Sequence, residues 1–512
     1  MSNREIQAAR DYHDRTAHSY SSVRESGHYL DWETKPFLYK VYPDLPAIPL
    51  PRELEPAAAE TLEALSRGSQ GDAPLRLETL TALLFFSAGL TKKKTYGRGE
   101  EHHFRAAAST GALYQTEVYA VTGELARLPA GVYHFCPADF ALRRLREGDF
   151  RRELAEAAAD ERLACVPATL VLTAIFWRNT WKYQARGYRH LFWDSGTMLA
   201  NVLAVADGAG VTARLVTGFT DARVNRLLGL EAEKEASLEL VPLGGEGSPA
   251  PAPPPVAEIT PRYAPLSKTE VDYPLLREMH AASALQDPAE VARWRQGPER
   301  ERPDPPSPLL PLPVPRARSE RSLGETVLRR GSTRQFAQLA ISAEELSTVL
   351  FHATRGFAAD VPSGLVDLYL IVNAVDGYEP GAYCYWPAAH GLERLRAGEF
   401  RREAGYLCLE QELGAAASVV IFFLADLTSL LHRFGNRGYR LANLEAGLVG
   451  GRAYLGAYAL GFGASGMTFY DRDVVSFFAP HAQGKDALFV TALGRSVKGA
   501  PTTVVPLKIG KT

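Results

Sequence analysis

Six residues, Arg329-Arg330-Gly331-Ser332-Thr333-Arg334, crowd three guanidinium groups and two hydroxyls into one short stretch. Arginine forks match phosphate oxygens bidentately and hydroxyls add donors, so this stretch suits an anion. A helix should follow, with Ser342 as its cap and Glu345 closing a capping box. A second segment places Arg105 ahead of Ser109-Thr110-Gly111-Ala112, a small-residue turn entering TEVYAV. Such a turn lets backbone amides approach a planar or anionic ligand. A third pairs Lys182 with Tyr183 just before Arg186-Gly187-Tyr188-Arg189, offering one cation and one phenol for proton transfer. Each has a plain structural alternative: a solvated basic loop, a connecting turn, and a helix start with a snorkelling lysine.

The elements that position these segments come in two copies. GVYHFCPADFALRRLREGDFRR (131–152) and GAYCYWPAAHGLERLRAGEFRR (381–402) agree at 12 of 22 positions, 250 residues apart. Arg186-Gly187-Tyr188-Arg189 recurs as Arg437-Gly438-Tyr439-Arg440, and Leu243-Gly244 as Leu493-Gly494. A period this long marks a duplicated domain, since solenoid units repeat at about 20–50 residues. The copies are unequal. Where the second reads Arg329 to Arg334, the first reads Ser66-Arg67-Gly68-Ser69-Gln70-Gly71, and where the first has Lys182-Tyr183 the second has His432-Arg433-Phe434.

Within each copy, EVYAV, TLVLTAIF, LYLIVNAV and ASVVIFFLA read as strands. AAAETLEALSRG, EFRREAGYLCLEQEL and LSTVLF-like stretches carry helical periodicity. RHLFWDSGTMLANVLAVADGAG and RLANLEAGLVGGRAYLGAYALGFG are apolar over most of their surface, so both are expected as long buried helices ending near glycine. Residues 249–315 hold 17 of the 34 prolines, which predicts an extended connector with one short helix over VDYPLLREMHAASALQ. The expected organisation is therefore 1–246, a proline-rich linker 247–318, and 319–512.

Lys plus Arg number 57 against 59 Asp plus Glu, for a formal charge of −2, so no global field draws nucleic acid or an anionic membrane. No apolar run reaches the ~18 residues of a membrane span and the N-terminus lacks a signal-peptide core. Four cysteines lie far apart without metal-ligand spacing. A reduced, cytoplasmic protein with no metal is expected.

The ordered set of R-R-x-S-x-R, an S-x-G-A-L turn, Lys-Tyr before R-G-Y-R, and a small-residue L-G-x-G helix end resembles the nitroreductase superfamily. The opening DYHDRTAHSY and KPFLYKVYPDLPAIPLP resemble its SagB-type branch, the azoline dehydrogenases; Ala108 stands where that family usually has proline. The resemblance implies an α+β fold, two nitroreductase-like domains forming an intrachain pseudo-dimer, and FMN at the interface between them. It assigns the phosphate to Arg330, Ser332, Arg334 and Arg495, and the isoalloxazine border to Arg105, Ser109, Thr110 and Gly111. Gly463, Ala464, Ser465 and Gly466 would supply backbone contacts to the ring edge. Lys182 and Tyr183 would assist proton removal while hydride passes to the flavin. Because each copy keeps what the other lacks, one complete site and one decayed site are expected. The substrate would be a peptide azoline or related small molecule, with a cyclodehydratase complex as partner. The alternatives are an NAD(P)H-dependent nitro or quinone reductase, and a flavin-free scaffold.

Overall fold

The computed structural model describes residues 2–54, 58–66, 68, 71–95, 101–297, 305, 308–497 and 504–506. All four predicted strand runs form, as Thr116–Thr122, Ala168–Ile175, Asp367–Val372 and Val419–Ala425. They are the centres of two antiparallel sheets. In the first half the order is Ala47–Pro49, Ala141–Glu147, Gly131–Cys136, Thr116–Thr122, Ala168–Ile175, Glu235–Leu243. The second half runs from Gly463–Gly466 through Asp486–Gly494, Val419–Ala425, Asp367–Val372, Gly381–Trp386 and Gly391–Ala397 to Leu310–Pro311. The near-identical 22-residue segments are the same hairpin in each sheet, with the same register shift after its second residue.

The halves meet through the two long helices, Gly187–Gly208 and Arg437–Ala459, which are buried along almost their whole length. Their closest approach needs glycine on both sides. A Cβ on Gly196 would lie 2.4 Å from the Leu444 carbonyl oxygen, and one on Gly447 2.4 Å from that of Trp193. The repeated R-G-Y-R motif then locks the pair by exchange. Arg186 and Arg189 of the first half grip Asp471 of the second, while Arg437 and Arg440 of the second grip Asp221 of the first. All six side chains are buried. Burial would raise both carboxyls, yet the paired guanidiniums outweigh it, holding Asp221 at about 2 and Asp471 lower still. Mutual exchange of like contacts is the signature of a twofold-related interface.

The linker differs from expectation. Beyond the anticipated helix, Pro274–Ala282, a second one forms at Pro288–Arg295, capped by Asp287 with proline in its first turn. Leu276, Met279, Val291 and Trp294 are buried, so this stretch is packed core rather than spacer. Two predicted helices are also shorter. EFRREAGYLCLEQEL breaks into Arg401–Leu407 and Glu412–Ala416, where Leu409 and Glu410 adopt φ of 56° and 57°. Of AAAETLEALSRG, only Thr61–Ala64 is α-helical among the described residues. No described helix is long and apolar enough to cross a membrane.

Candidate functional site at the interface between the halves

The Ser109-Thr110-Gly111 turn is held by one carboxylate from the first long helix. Asp194 accepts hydrogen bonds from the Ser109 hydroxyl (2.6 Å), the Thr110 amide (2.8 Å) and hydroxyl (2.7 Å), and the Gln115 amide (2.6 Å). Burial raises the Asp194 carboxyl to about 6, although these donors pull the other way. Gly111 sits at φ 65°, and a Cβ there would meet the Tyr183 hydroxyl at 2.8 Å. The turn and the phenol are therefore in direct apposition.

From the second half, the predicted anion stretch reaches the same place. Arg330 donates to the carbonyls of Ala106 (2.8 Å) and Arg105 (3.0 Å), tying the stretch to the strand that leads into the turn. Thr333 donates its amide to the Ala464 carbonyl at 2.9 Å, packing across Gly463, and the Ser332 hydroxyl lies 3.3 Å from that of Tyr454. Tyr454 in turn accepts from the Gly466 amide. Ser465 is buried in the same edge strand. Arg334 is exposed and makes no hydrogen bond or ion pair among the described residues.

Lys182 and Tyr183 end the helix Phe176–Tyr183, with the ammonium 5.3 Å from the centre of the tyrosine ring. Burial lowers the Lys182 amine, and the Arg334 guanidinium of the other half lowers it further. Burial and Asp194 push the Tyr183 phenol above the usual tyrosine range, with Arg334 opposing them. First-half and second-half candidates thus share one electrostatic locus.

Two expected residues are otherwise engaged. The Arg105 guanidinium turns away, donating to the Leu38 carbonyl at 2.5 Å and lying over the Tyr39 and Tyr114 rings. Arg495 makes a two-pronged pair with Glu345 at 2.7 and 2.8 Å. Sequence reasoning missed Asp194, Tyr454 and Lys92. The Lys92 ammonium donates to the carbonyls of Arg329 (2.8 Å) and Arg330 (2.5 Å), and burial with the neighbouring Arg330 charge lowers it to about 8. Asp194 had a readable signal: an acid inside an apolar helix, matched by Glu445 in the other copy. Lys92 had none.

The symmetry-related cleft is built differently. Ala213 pairs with Leu243 as Ala464 pairs with Leu493, so Leu215 stands where Gly466 does. Leu215 closes the gap by backbone pairing, donating to the Ala358 carbonyl at 2.8 Å and accepting from the Asp360 amide at 3.0 Å. Asp360 also accepts from the amides of Thr217 and Gly218 (2.8 Å each) and pairs with Arg295 at 3.1 Å. Beside it the Trp294 indole donates to the Phe434 carbonyl at 2.8 Å, burying that ring completely. Arg67, Ser69 and Gln70 lie outside the described residues.

Comparison with known proteins agrees with this architecture. The model of the nitroreductase family matches residues 66–245 and again 327–495. The chain is 30% identical over 164 residues to "Putative nitroreductase MJ1384" of Methanocaldococcus jannaschii, spanning 30% of this chain and 83% of that protein. It is 32% identical over 137 residues to the microcin B17-processing protein McbC of Escherichia coli, covering 25% of this chain and half of McbC. A crystal structure described as a putative nitroreductase from Anabaena variabilis superposes with a TM-score of 0.74 at 27% identity, over 96% of this chain and 99% of that one. With two matched regions, one in each structural half, the chain belongs to the nitroreductase family and carries its domain twice.

Proposed function

We propose that this protein is an FMN-dependent oxidoreductase with one cofactor site per chain, dehydrogenating a peptide azoline or a related small organic substrate. The observation that carries the reading is the convergence of the two halves, where Arg330 of the second grips the Arg105 and Ala106 carbonyls just ahead of the first half's Gly111 turn, against which Tyr183 lies. The residues present fit a phosphorylated flavin. Arg334 is an exposed cation with no acid partner among the described residues, and Arg330 and Lys92 add positive charge beside Ser332. Gly466 offers backbone without bulk, with no neighbour nearer than 3.4 Å to the side-chain position it lacks, as a flat ring requires. Arg495 would join only by exchanging Glu345 for the phosphate.

FMN, when bound, supplies the two-electron redox chemistry. The protein's share is proton handling. Opening a C–H bond of an azoline ring requires a group to take up a proton, and the lowered Lys182 amine is the better acceptor of the pair. Tyr183, held protonated, is the acid of the pair and donates to the substrate as the proton leaves. Similarity to a protein described as processing microcin B17 supports a modified peptide as substrate and a cyclodehydratase complex as partner.

Flavin absorbance against protein concentration tests the reading, with one FMN per chain expected. Anaerobic bleaching by a thiazoline or oxazoline peptide, and not by NAD(P)H, would identify the substrate class. Bleaching by NAD(P)H alone would make it a nitro or quinone reductase, and a colourless protein a flavin-free scaffold.

A further inference from the structure

The duplication supplies an internal control for the first-half site. Helix Phe176–Tyr183 corresponds to Leu427–Phe434 residue for residue, and the R-G-Y-R motifs continue the same offset of 251 into the long helices. Three of the buried charged positions survive that comparison. Arg186 and Arg189 match Arg437 and Arg440, and Asp194 matches Glu445, which likewise accepts the amides of Gly364 (2.9 Å) and Leu365 (2.6 Å). These are retained whether or not the cleft is open.

Other polar positions turn apolar: Thr180, Ser195 and Thr197 become Leu431, Ala446 and Leu448, and three more change as a group. Asn179, Tyr183 and His190 correspond to Leu430, Phe434 and Leu441, all buried apolar residues. In space the three polar residues form one cluster. His190 Nδ1 lies 2.8 Å from Asn179 Oδ1. The His190 ring meets the Tyr183 ring edge-on, with centroids 4.5 Å apart at 84°, and its other side rests on Trp193 at 4.6 Å. Asn179 and His190 are both buried, and Asn179 Nδ2 and His190 Nε2 have no hydrogen-bond partner among the described residues. Each such atom costs stability. The second half shows that a Leu–Leu pair fills the same space without that cost.

We infer that His190, fixed by Asn179, is a positioning residue for Tyr183, clamping the phenol ring so that its hydroxyl stays against the Gly111 turn. This rests on Tyr183 acting at the reacting centre. With Asn179 presenting its oxygen, the imidazole proton belongs on Nδ1. Burial together with the Arg186 and Arg189 charges outweighs the nearby Asp471 and keeps the ring neutral, so the clamp does not switch with pH near neutrality.

The decisive variants are His190→Leu and Asn179→Leu, the second half's own residues, alongside Tyr183→Phe and the His190→Leu/Tyr183→Phe double. In flavin-free protein labelled with ring-13C tyrosine, the Tyr183 signal is assigned by its loss in Tyr183→Phe. Both Leu variants should shift and broaden that signal. In loaded enzyme, His190→Leu should keep its flavin and slow its bleaching by a thiazoline dipeptide roughly tenfold or more, and the double should be no slower than Tyr183→Phe alone. An unmoved Tyr183 signal, or slowing that multiplies in the double, would overturn the assignment. If Tyr183→Phe is fully active, the proton-handling role of Tyr183 falls, while the tyrosine signal still decides the contact. Should His190→Leu not fold, His190→Gln with the same labelled tyrosine replaces it: a shifted Tyr183 signal supports the clamp and an unmoved one overturns it.

Discussion

The two clefts between the halves have the same parents and opposite contents. On one side Gly466, the glycine turn and a partly buried Tyr183 leave backbone edges facing each other across a cationic locus. On the other, Leu215 pairs directly with the 358–360 loop, and the linker's Trp294 and Arg295 fill the remaining space against Phe434 and Asp360. The difference lies in the lining and not in the frame, because the glycine crossing and the exchanged arginine–aspartate clusters are intact on both sides. A duplicated interface needs both halves of its frame, while its two clefts can be lined independently. The linker seals the closed side, with its Trp294 buried against Phe434.

The strongest way to break this contrast is at the phenol. Tyr183→Phe should retain flavin and slow substrate oxidation by ~10²–10⁴-fold, the usual worth of acid–base catalysis. Phe434→Tyr should leave the rate unchanged, since that ring lies beneath Trp294; steady-state turnover of both variants checks the pair. Equal rates in wild type and Tyr183→Phe would erase the functional difference between the clefts.

The frame should respond symmetrically. Asp471→Asn and Asp221→Asn each leave two buried guanidiniums without their counter-charge, a loss of about 3–5 kcal/mol. Urea unfolding should give similar losses for both, and a neutral result for either would show that the exchange is not shared equally.

Asp194 sharpens the comparison through pH. Its carboxyl is raised from 3.8 to about 6, so the folded protein holds that proton more tightly than the unfolded chain. The stability this contributes is complete below about pH 4 and lost as pH rises through about 6, a change of at most about 3 kcal/mol. Asp194→Asn should flatten that part of the melting-temperature profile and gain on wild type above pH 6. A profile that keeps its slope would place the titration elsewhere.

The smallest expected effect is on cofactor retention. Arg334→Ala should weaken FMN binding roughly tenfold to a hundredfold, as loss of one charge-assisted contact does. Arg433→Ala, in the closed cleft, should not change it. Fluorescence titration with free FMN measures both, and equal weakening would mean that the closed side also takes flavin.

Sequence alone determined the duplication, the four central strands, the two buried helices and the family, because each rests on local periodicity or on residues close together in the chain. Motif order also selected Arg330, Ser332, Arg334, Lys182 and Tyr183, which the fold brings to one locus. What only the tertiary structure decided is how those groups are spent. Arg495 faces Glu345, the Arg105 guanidinium faces Leu38, and Arg330 grips two carbonyls, since a side chain's partner depends on elements 67 to 225 residues away. The linker's second helix had its own signal in Asp287-Pro288 with Glu290, outweighed by the surrounding proline content. That this helix would close one cleft, and that His190 and Asn179 would stand behind Tyr183 in the other, followed only from packing. Burial sets the cost of a polar group, and nothing in the linear pattern states which face of a wholly buried helix its neighbours will touch.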